Sequence, residues 1–323
     1  MKKKLKIGVL FGGKSAEHEV SLMSAKNIIE ALDSKKYQVG KIKIQKSGEL
    51  DFNSLKKYDV IFPVLHGPFG EDGTIQGLLK FLDIPFVGAG VLGSALSMDK
   101  EVTKKLLGEA RIPTPKFLVL HKGHKISFKE AVKKLGKILF IKPANMGSSV
   151  GVHKVKTEKD FKSAMKDAFC YDSKILIEEA IVGREIECSV LGNDKPRASL
   201  PGEIISTNER GFYSYKAKYL DESGAILKIP AELPKALRKK VQIMAVETFK
   251  ALNCEGMARV DFFLKKNGEV LVNEVNTIPG FTDISMYPKL WVKSGIPQTK
   301  LLDSLIALAI ERFEKEKSLK TTL

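Results

Sequence analysis

Strand-like and helix-like periods alternate through the first hundred residues, and this alternation restricts the fold more than any other feature of the chain. Residues 5–11 are apolar except for Lys6 and predict a buried strand, and residues 21–32 repeat apolar side chains with the period of a helix. The alternation continues with strand-like runs at 38–44, 58–65 and 85–87 and a helical pattern at 73–82. Strands separated by helices predict a parallel, doubly wound sheet, and such sheets bind ligands beyond the carboxyl ends of their strands.

The pattern changes near residue 98, where a predicted helix at 99–109 is followed by a proline-rich link and then by short strands. A chain of 323 residues corresponds to two or three domains at about 150 residues each. We therefore expect an N-terminal α/β domain at residues 1–97, a small central α+β domain at 98–185 and a C-terminal α+β domain at 186–323.

The net charge of +16, from 54 Lys and Arg against 38 Asp and Glu, raises the question of a nucleic-acid surface. The lysines are distributed along the whole chain, whereas a nucleic-acid-binding arm clusters them and interleaves aromatic or arginine side chains. The charge is typical of solvated faces whose field attracts anionic substrates. No nucleic-acid partner is predicted.

Neither a membrane anchor nor a disulfide framework is indicated. No apolar run approaches the roughly 18 residues of a membrane helix. The N-terminal apolar run stops at Gly12, before it reaches the length used by a signal peptide. The three cysteines are odd in number and widely spaced, which argues against disulfides and structural zinc. These features predict a cytoplasmic protein without a membrane partner.

Two glycine-rich strings match nucleotide-binding motifs but have the wrong context. GVLFGGKS at 8–15 fits the P-loop pattern, yet its first glycine lies inside the predicted first strand rather than at the start of a loop. GAGVLG at 88–93 fits the dinucleotide pattern, but the next predicted strand ends in His121 and Lys122 instead of an acidic residue. We interpret the first match as accidental and the second as tight backbone packing at a domain junction.

A predicted hairpin near the C-terminus carries the strongest local argument for chemistry. Asn267-Gly268 lies between two alternating runs, which is the pattern of a two-residue hairpin turn. In that register Asp261 faces Glu274 and Arg259 faces Asn276. The four side chains would project from one face of the hairpin, because side chains alternate along a strand.

Opposed carboxylates destabilise a sheet unless something positive lies between them. Asp261 and Glu274, with the amide oxygen of Asn276, are hard oxygen ligands suited to Mg²⁺ that is also held by nucleotide phosphates. The alternative is a solvated hairpin face on which Arg259 neutralises Asp261. A register slip of one residue would separate the facing pair.

Further residues fit a phosphate site, although each alone also fits an ordinary loop or strand end. Lys142 ends a predicted strand, where a buried lysine would need an anionic partner. Residues 147–151 form a glycine-rich turn whose amides and hydroxyls could cover phosphate oxygens. Glu178, Glu179 and Glu185 could hold the amine and ribose hydroxyls of an adenosine, or mark a charged strand exit.

Six strings jointly resemble the ATP-grasp superfamily and, within it, the D-alanine:D-alanine ligase family, over essentially the whole chain. In the family's order they are GGKSAEHEVS at 12–21, LHGPFGEDGT at 65–74, MDK at 98–100, KPANMGSSVG at 142–151, YSYKAKY at 213–219 and NEVNTIPGFTDISM at 273–286. The resemblance implies an ATP-grasp fold, with a parallel-sheet domain ahead of two ATP-grasp domains.

The resemblance also implies roles for individual residues. Contacts to ATP are implied for Lys100, Lys142, Ser149, Glu178, Glu179, Ile181, Glu185, Lys218 and Asn273. Two Mg²⁺ (or Mn²⁺) ions are implied on Asp261, Glu274 and Asn276, the residues of the predicted hairpin. Contacts to D-alanine are implied for Glu17, His66, Arg259, Gly280, Ser285 and Met286. Arg259 and the Gly280 amide would form the oxyanion site, and Ser148, Tyr219 and Glu17 a hydrogen-bonded trio that closes the segment 206–223.

The implied reaction phosphorylates the carboxylate of one D-alanine with ATP and joins the product to the amine of a second, as a step of peptidoglycan precursor synthesis. The implied partners are D-alanine, ATP and a second copy of the chain in a homodimer. A D-alanine:D-lactate ligase, another ATP-grasp carboxylate:amine ligase and an inactive ATP-binding regulator remain as alternatives. Tyr219 fits dipeptide formation better than ligation to D-lactate, and Glu179 stands where some members have lysine.

Overall fold

The computed structural model describes residues 3–207 and 225–320, and its first layer is a parallel sheet. The strands β1 (Leu5–Gly12), β2 (Tyr37–Ile44) and β3 (Val60–Val64) pair in the order β2-β1-β3. The helices α1 (His18–Ala31) and α2 (Thr74–Phe81) follow β1 and β3. The predicted strand at 85–87 is reduced to an isolated parallel bridge between Phe86 and Ile61, although backbone hydrogen bonds still join this segment to β3.

Both faces of the parallel sheet are covered, as the doubly wound prediction requires. One face contributes Ile7, Val9 and Phe62 to a core with α1 and the C-terminal helix α9 (Gln298–Lys317). The other face contributes Leu10 and Ile61 to a second core with α2 and a 3₁₀ turn at Phe52–Lys57. Strands buried on both faces are uniformly apolar, which explains the run at residues 5–11.

A four-stranded antiparallel sheet forms the second layer of the chain. Its strands are β4 (Phe117–His121), β5 (Leu139–Pro143), β6 (His153–Val155) and β7 (Lys174–Glu179), in the order β4-β7-β5-β6. The preceding helices are α3 (Val91–Met98) and α4 (Lys100–Glu109), and α5 (Phe128–Leu135) and α6 (Glu158–Tyr171) pack on the sheet. Asp99 begins α4 by accepting hydrogen bonds from the amides of Glu101 and Val102.

The third layer is an antiparallel sheet in the order β11-β10-β8-β12-β13, with β9 paired to β8. The strands are β8 (Gly183–Gly192), β9 (Arg197–Ala198), β10 (Gly202–Ser206), β11 (Ala225–Lys228), β12 (Gly256–Lys265) and β13 (Val270–Asn276). The helices α7 (Lys235–Ala251) and α8 (Met286–Lys293) complete this part of the chain with α9. The domain boundaries stay predictions, and β8 crosses the one at 185/186.

The two glycine-rich strings have the structural roles expected of them. Gly8 lies inside β1, where an added Cβ would contact Ile42 and Ile61 at 2.7 Å, so its string begins no phosphate loop. A Cβ at Gly93 would lie 2.5 Å from the carbonyl oxygen of Asn253, which confirms close backbone packing between distant segments. No helix within residues 3–207 and 225–320 has the length and apolar character needed to cross a membrane.

A buried arginine on α9 connects the C-terminal helix to the parallel-sheet layer. Arg312 is 5% exposed, and it donates hydrogen bonds to the carbonyl oxygens of Gly88 and, at 2.8 Å, of Phe86. Its guanidinium lies 4.3 Å from the centre of the Phe86 ring and 3.6 Å from Glu255. One side chain therefore joins buried carbonyls beside the first layer to the partly exposed carboxylate of Glu255 just before β12.

We expect Arg312→Met to lower the free energy of unfolding by about 3 kcal/mol, since it leaves buried carbonyls and Glu255 without their cation. The measurement is urea unfolding followed by circular dichroism. Lys315→Met on the same helix is the control, because it breaks only an exposed pair with Asp194 and should leave the midpoint nearly unchanged. Equal losses of unfolding free energy in the two variants would contradict the structural role assigned to Arg312.

Candidate active site

The C-terminal hairpin has the predicted facing pairs, although its turn differs from the prediction. Arg259 pairs with Asn276 and Asp261 with Glu274, whereas Leu264 pairs with Val270, one residue out of the predicted register. The turn is longer than predicted, because Lys265 pairs across it with Glu269. A β-bulge between the two parts of the ladder restores the register. The facing carboxylates are therefore confirmed.

The bulge lies at Asn273, the residue that has no partner between Val272 and Glu274 in the ladder. Asn273 and its neighbour Glu274 both line the cavity that also contains Lys142. A regular strand would direct two successive side chains to opposite faces. A β-bulge can instead turn two successive side chains toward the same side, and β-bulges are common beside active sites.

The row of carboxylates is longer than the hairpin alone indicates. Glu187 on β8 pairs with Asp261 in the β8–β12 register, so Glu187, Asp261 and Glu274 face one another across three neighbouring strands. Glu187 and Asp261 are 6% and 8% exposed. Like charges in such positions repel one another, and they need cations nearby.

Arg259 supplies one of those cations. Its Nε atom lies 2.7 Å from Oδ1 of Asp261 and 2.9 Å from Oε2 of Glu187, and its Nη2 donates to Oδ2 of Asp261 at 2.8 Å. The ion pair of the alternative interpretation is therefore present, but it is buried rather than solvated. Asn276 adds a hydrogen bond of 3.0 Å from Nδ2 to Oδ2 of Asp261.

Buried lysines surround a second carboxylate on β7. Glu178 lies 2.7 Å from Nζ of Lys142 and 3.1 Å from Nζ of Lys104, and all three side chains are buried. Burial opposes ionisation of Glu178, but the two lysines outweigh it and lower the pKa of its carboxyl. Lys142 has the anionic partner that a buried lysine requires. Sequence reasoning missed Lys104, which has no local signal other than its place one turn after Lys100.

We call the space around these residues the Lys142 cavity. It lies between the second and third sheets, and it brings together most of the residues for which nucleotide contacts were predicted. Those lining it are Lys100, Lys142, Ser149, Glu178, Glu179, Ile181, Glu185 and Asn273, together with Asp261 and Glu274. Lys218, predicted to contact ATP, Tyr219 of the predicted trio and most of the closing segment 206–223 lie outside the described residues. The cavity thus combines lysines with carboxylates.

An adjoining space, the Glu17 cavity, lies where the first sheet meets the other two. Glu17 precedes α1, just beyond the carboxyl end of β1, and Ser148 donates a short hydrogen bond to its Oε1. Gly67 has a φ of 72°, and a Cβ there would lie 2.5 Å from Oε2 of Glu17. Only glycine allows this approach. Two members of the predicted trio are therefore in contact.

A loop at residues 277–285 forms the opposite wall of the Glu17 cavity. His66 Nδ1 lies 2.9 Å from the carbonyl oxygen of Ile278, and Glu71 accepts a 3.1 Å hydrogen bond from the Ile278 amide. Burial lowers the pKa of His66, which favours the neutral ring. His66 and Glu71 both come after β3 in the chain. The first sheet therefore fixes the position of the loop at residues 277–285.

The end of the same loop carries three of the predicted substrate contacts. Gly280 lies so close to Ser285 that an added Cβ would be 2.7 Å from the Ser285 Oγ. Ser285 precedes α8, and Met286 is its first residue, so a helix N-terminus lies at the cavity. Such an end favours a carboxylate or another anion.

The donor set fits a magnesium ion that arrives with phosphates. No group of three or more His, Cys, Asp or Glu side chains converges on one point within residues 3–207 and 225–320. Asp261 and Glu274 supply two carboxylates, and Asn276 adds an amide. Mg²⁺ usually binds one or two carboxylates, with substrate phosphates and water completing its shell.

The two cavities meet at Gly147, Glu187 and Glu274, which line both of them. One cavity has the lysines of a phosphate site, and the other has an arginine and a helix N-terminus suited to carboxylates. A carboxylate and a phosphate can therefore meet at the row of acidic residues. This arrangement defines an enzyme of the ligase class that activates carboxylates with a nucleotide.

Comparison with known families identifies the particular ligase family. The profile described as "D-ala D-ala ligase C-terminus" matches residues 106–307, and "D-ala D-ala ligase N-terminus" matches residues 6–56 and 50–89. The chain is 50% identical to the D-alanine–D-alanine ligase of Oceanobacillus iheyensis, over 99% of both chains. The chain belongs to the D-alanine–D-alanine ligase family.

Solved structures have the same fold. The D-alanine–D-alanine ligase of Coxiella burnetii superposes with a TM-score of 0.87 at 40% identity, covering 97% of this chain and 96% of that one. The Bacillus anthracis D-alanine–D-alanine ligase, solved in complex with ATP, superposes with a TM-score of 0.83 at 34% identity, covering 97% and 99%. The predicted ATP-grasp fold is confirmed.

Glu71 provides a test of the Glu17 cavity through stability. Its burial and the nearby charge of Glu17 raise the pKa of its carboxyl to about 8, above the ordinary value of 4.5. Its contribution to stability is then complete below about pH 4.5 and is lost as the pH rises through about 8. Wild-type protein should lose stability from pH 6 to 9 more steeply than Glu71→Gln. Thermal unfolding of both proteins across this range checks the prediction, and parallel profiles would contradict it.

Proposed function

We propose that this protein joins two molecules of D-alanine in an ATP-dependent reaction, with a D-alanyl phosphate as intermediate and D-alanyl-D-alanine, ADP and phosphate as products. The observation that carries the proposal is the meeting of the Lys142 and Glu17 cavities at Glu187 and Glu274. The names of the family and of its relatives identify the substrate as D-alanine.

In the first step, a carboxylate oxygen of one D-alanine attacks the γ-phosphorus of ATP, and ADP leaves. Lys100 and Lys142 attract the phosphate oxygens, and both line the Lys142 cavity. Burial lowers the pKa of Lys100, and bound phosphates would favour its charged form. Asp261, Glu274 and Asn276 would hold Mg²⁺ (or Mn²⁺), which neutralises developing charge on the phosphates.

In the second step, the amine of another D-alanine attacks the carbonyl carbon of the acylphosphate, the C–O bond to phosphate breaks, and the amine loses a proton. Arg259 and the Gly280 amide would stabilise the oxyanion, and both line the Glu17 cavity. Glu17 would hold the ammonium group of the first D-alanine, beside His66. Ser285 and Met286 would receive the carboxylate of the second at the N-terminus of α8.

Other parts of the proposal rest on the family alone. We infer that Ser148, Tyr219 and Glu17 act together to close the site and that Lys218 contacts the nucleotide. Closure would keep water from the acylphosphate. We also infer a cytoplasmic homodimer that supplies a peptidoglycan precursor, with no nucleic-acid or membrane partner.

The direct test of the proposal is phosphate release from ATP and Mg²⁺ in the presence of D-alanine, L-alanine, or D-alanine with D-lactate. The products are identified by mass spectrometry. We expect release with D-alanine alone and formation of the dipeptide. A depsipeptide formed in preference to the dipeptide would move the acceptor to D-lactate. Nucleotide binding without D-alanine-dependent release would contradict the proposal and favour an ATP-binding regulator.

Asp261→Asn tests the metal-binding part of the mechanism. The substitution retains shape but removes one of two carboxylates for Mg²⁺, so kcat should fall by a factor on the order of 10² to 10³. Initial rates at saturating ATP and D-alanine check the prediction. The exposed Asp194→Asn is the control and should retain wild-type kcat. Near-normal activity of Asp261→Asn would refute the metal assignment.

A further inference from the structure

Glu187 is a buried carboxylate at the centre of the site, and neither the hairpin nor the family resemblance gives it a role. It is 6% exposed, faces Asp261 across β8 and β12, and lines both cavities. A buried carboxylate is costly unless a cation pairs with it. Its cation is Arg259, at 2.9 Å between Nε and Oε2.

Arg259 is shared unequally between two carboxylates. Asp261 accepts hydrogen bonds from both Nε, at 2.7 Å, and Nη2, at 2.8 Å, whereas Oε2 of Glu187 lies 2.9 Å from Nε as a charge contact. Both oxygens of Asp261 are thereby engaged with the guanidinium, and Oδ2 also accepts from Asn276 at 3.0 Å. A metal ion bound by Asp261 would use these oxygens, and its charge would repel the guanidinium beside it.

We propose that Glu187 is a positioning residue, which holds Arg259 by its Nε when Asp261 turns to the metal. This inference rests on the proposed function. Glu187 is suited to the task because the sheet fixes its backbone opposite Asp261, so Arg259 changes partner without leaving the carboxylate row. When Glu187 binds Arg259 at Nε, the terminal nitrogens of the guanidinium stay available. These nitrogens can donate hydrogen bonds to the oxyanion in the Glu17 cavity.

The third sheet contains a matched control for the loss of this carboxylate. Glu203 on β10 is also 6% exposed, and it pairs with Arg184 through two hydrogen bonds of 2.7 Å. Glu203 faces Ile186 in the ladder, so its side chain projects from the other face of the sheet and lines neither cavity. Glu187→Gln and Glu203→Gln thus remove the same charge from two equally buried carboxylates that each pair with an arginine.

The experiment compares kcat, the dissociation constant of a non-hydrolysable ATP analogue, and the unfolding midpoint of these variants with those of wild-type protein. We expect Glu187→Gln to lower kcat about 10- to 100-fold, the usual effect of losing a residue that orients a catalytic group. Affinity for the analogue should change less than about twofold, since Glu187 is proposed to act on Arg259, which lies outside the Lys142 cavity, and not on the nucleotide. Glu203→Gln should retain wild-type kcat, with a similar loss of stability.

A double-mutant cycle separates positioning from a general structural effect. If Glu187 acts through Arg259, Glu187→Gln should cost little further activity once Arg259→Lys has been introduced. Three results would overturn the proposal: equal activity of Glu187→Gln and Glu203→Gln, additive losses in the cycle, or recovery of kcat at high Mg²⁺, which would make Glu187 a metal ligand. Failure of the proposed function is distinct, because the wild-type protein would then form no dipeptide.

Discussion

Repulsion among Glu187, Asp261 and Glu274 is the constraint on which the site depends. The three carboxylates face one another across neighbouring strands, and two of them are almost fully buried. Such a row is stable only with cations close to it. Arg259 meets part of this need in the structure, and a metal ion that arrives with the nucleotide would add further positive charge. Nucleotide binding and stabilisation of the row would thereby be connected.

The surrounding layers position groups around this row. The parallel sheet brings Glu17, His66 and Glu71 to its carboxyl edge, where they contact Ser148 and the loop at 277–285. The second sheet brings Lys142 and Glu178 from the opposite side. Arg312 fixes one junction of these layers through buried carbonyls of Phe86 and Gly88. Each cavity is therefore made by at least two layers of the protein.

Local patterns predicted much of this arrangement, because alternation and turn signals depend on near neighbours in sequence. The parallel sheet, the hairpin and its facing pairs could be predicted in this way. The hairpin also shows a limit of prediction from local patterns. Its predicted facing pairs are correct only because two unpredicted deviations, a longer turn and the bulge at Asn273, cancel each other. Backbone adjustments of one residue leave no clear trace in a pattern of apolar and polar side chains.

Contacts between distant segments were beyond reasoning from local patterns, and the contact between Glu17 and Ser148 was expected only from the family resemblance. Glu187 and Asp261 are 74 positions apart, and their pairing depends on the order of strands in the third sheet. The only local signal was that Glu185 and Glu187 alternate with the apolar Ile186 and Cys188. Arg312 was one of many basic residues in the C-terminal helix, and nothing in the sequence distinguishes it from exposed Lys315.

A crystal structure of the protein with Mg²⁺ and a non-hydrolysable ATP analogue tests the central claim most directly. The account predicts metal density on Asp261, Glu274 and Asn276, with the Asp261–Arg259 pair opened and the Nε of Arg259 still in contact with Glu187. Metal bound elsewhere would contradict the account. So would an Arg259 that kept both hydrogen bonds to Asp261 and released Glu187.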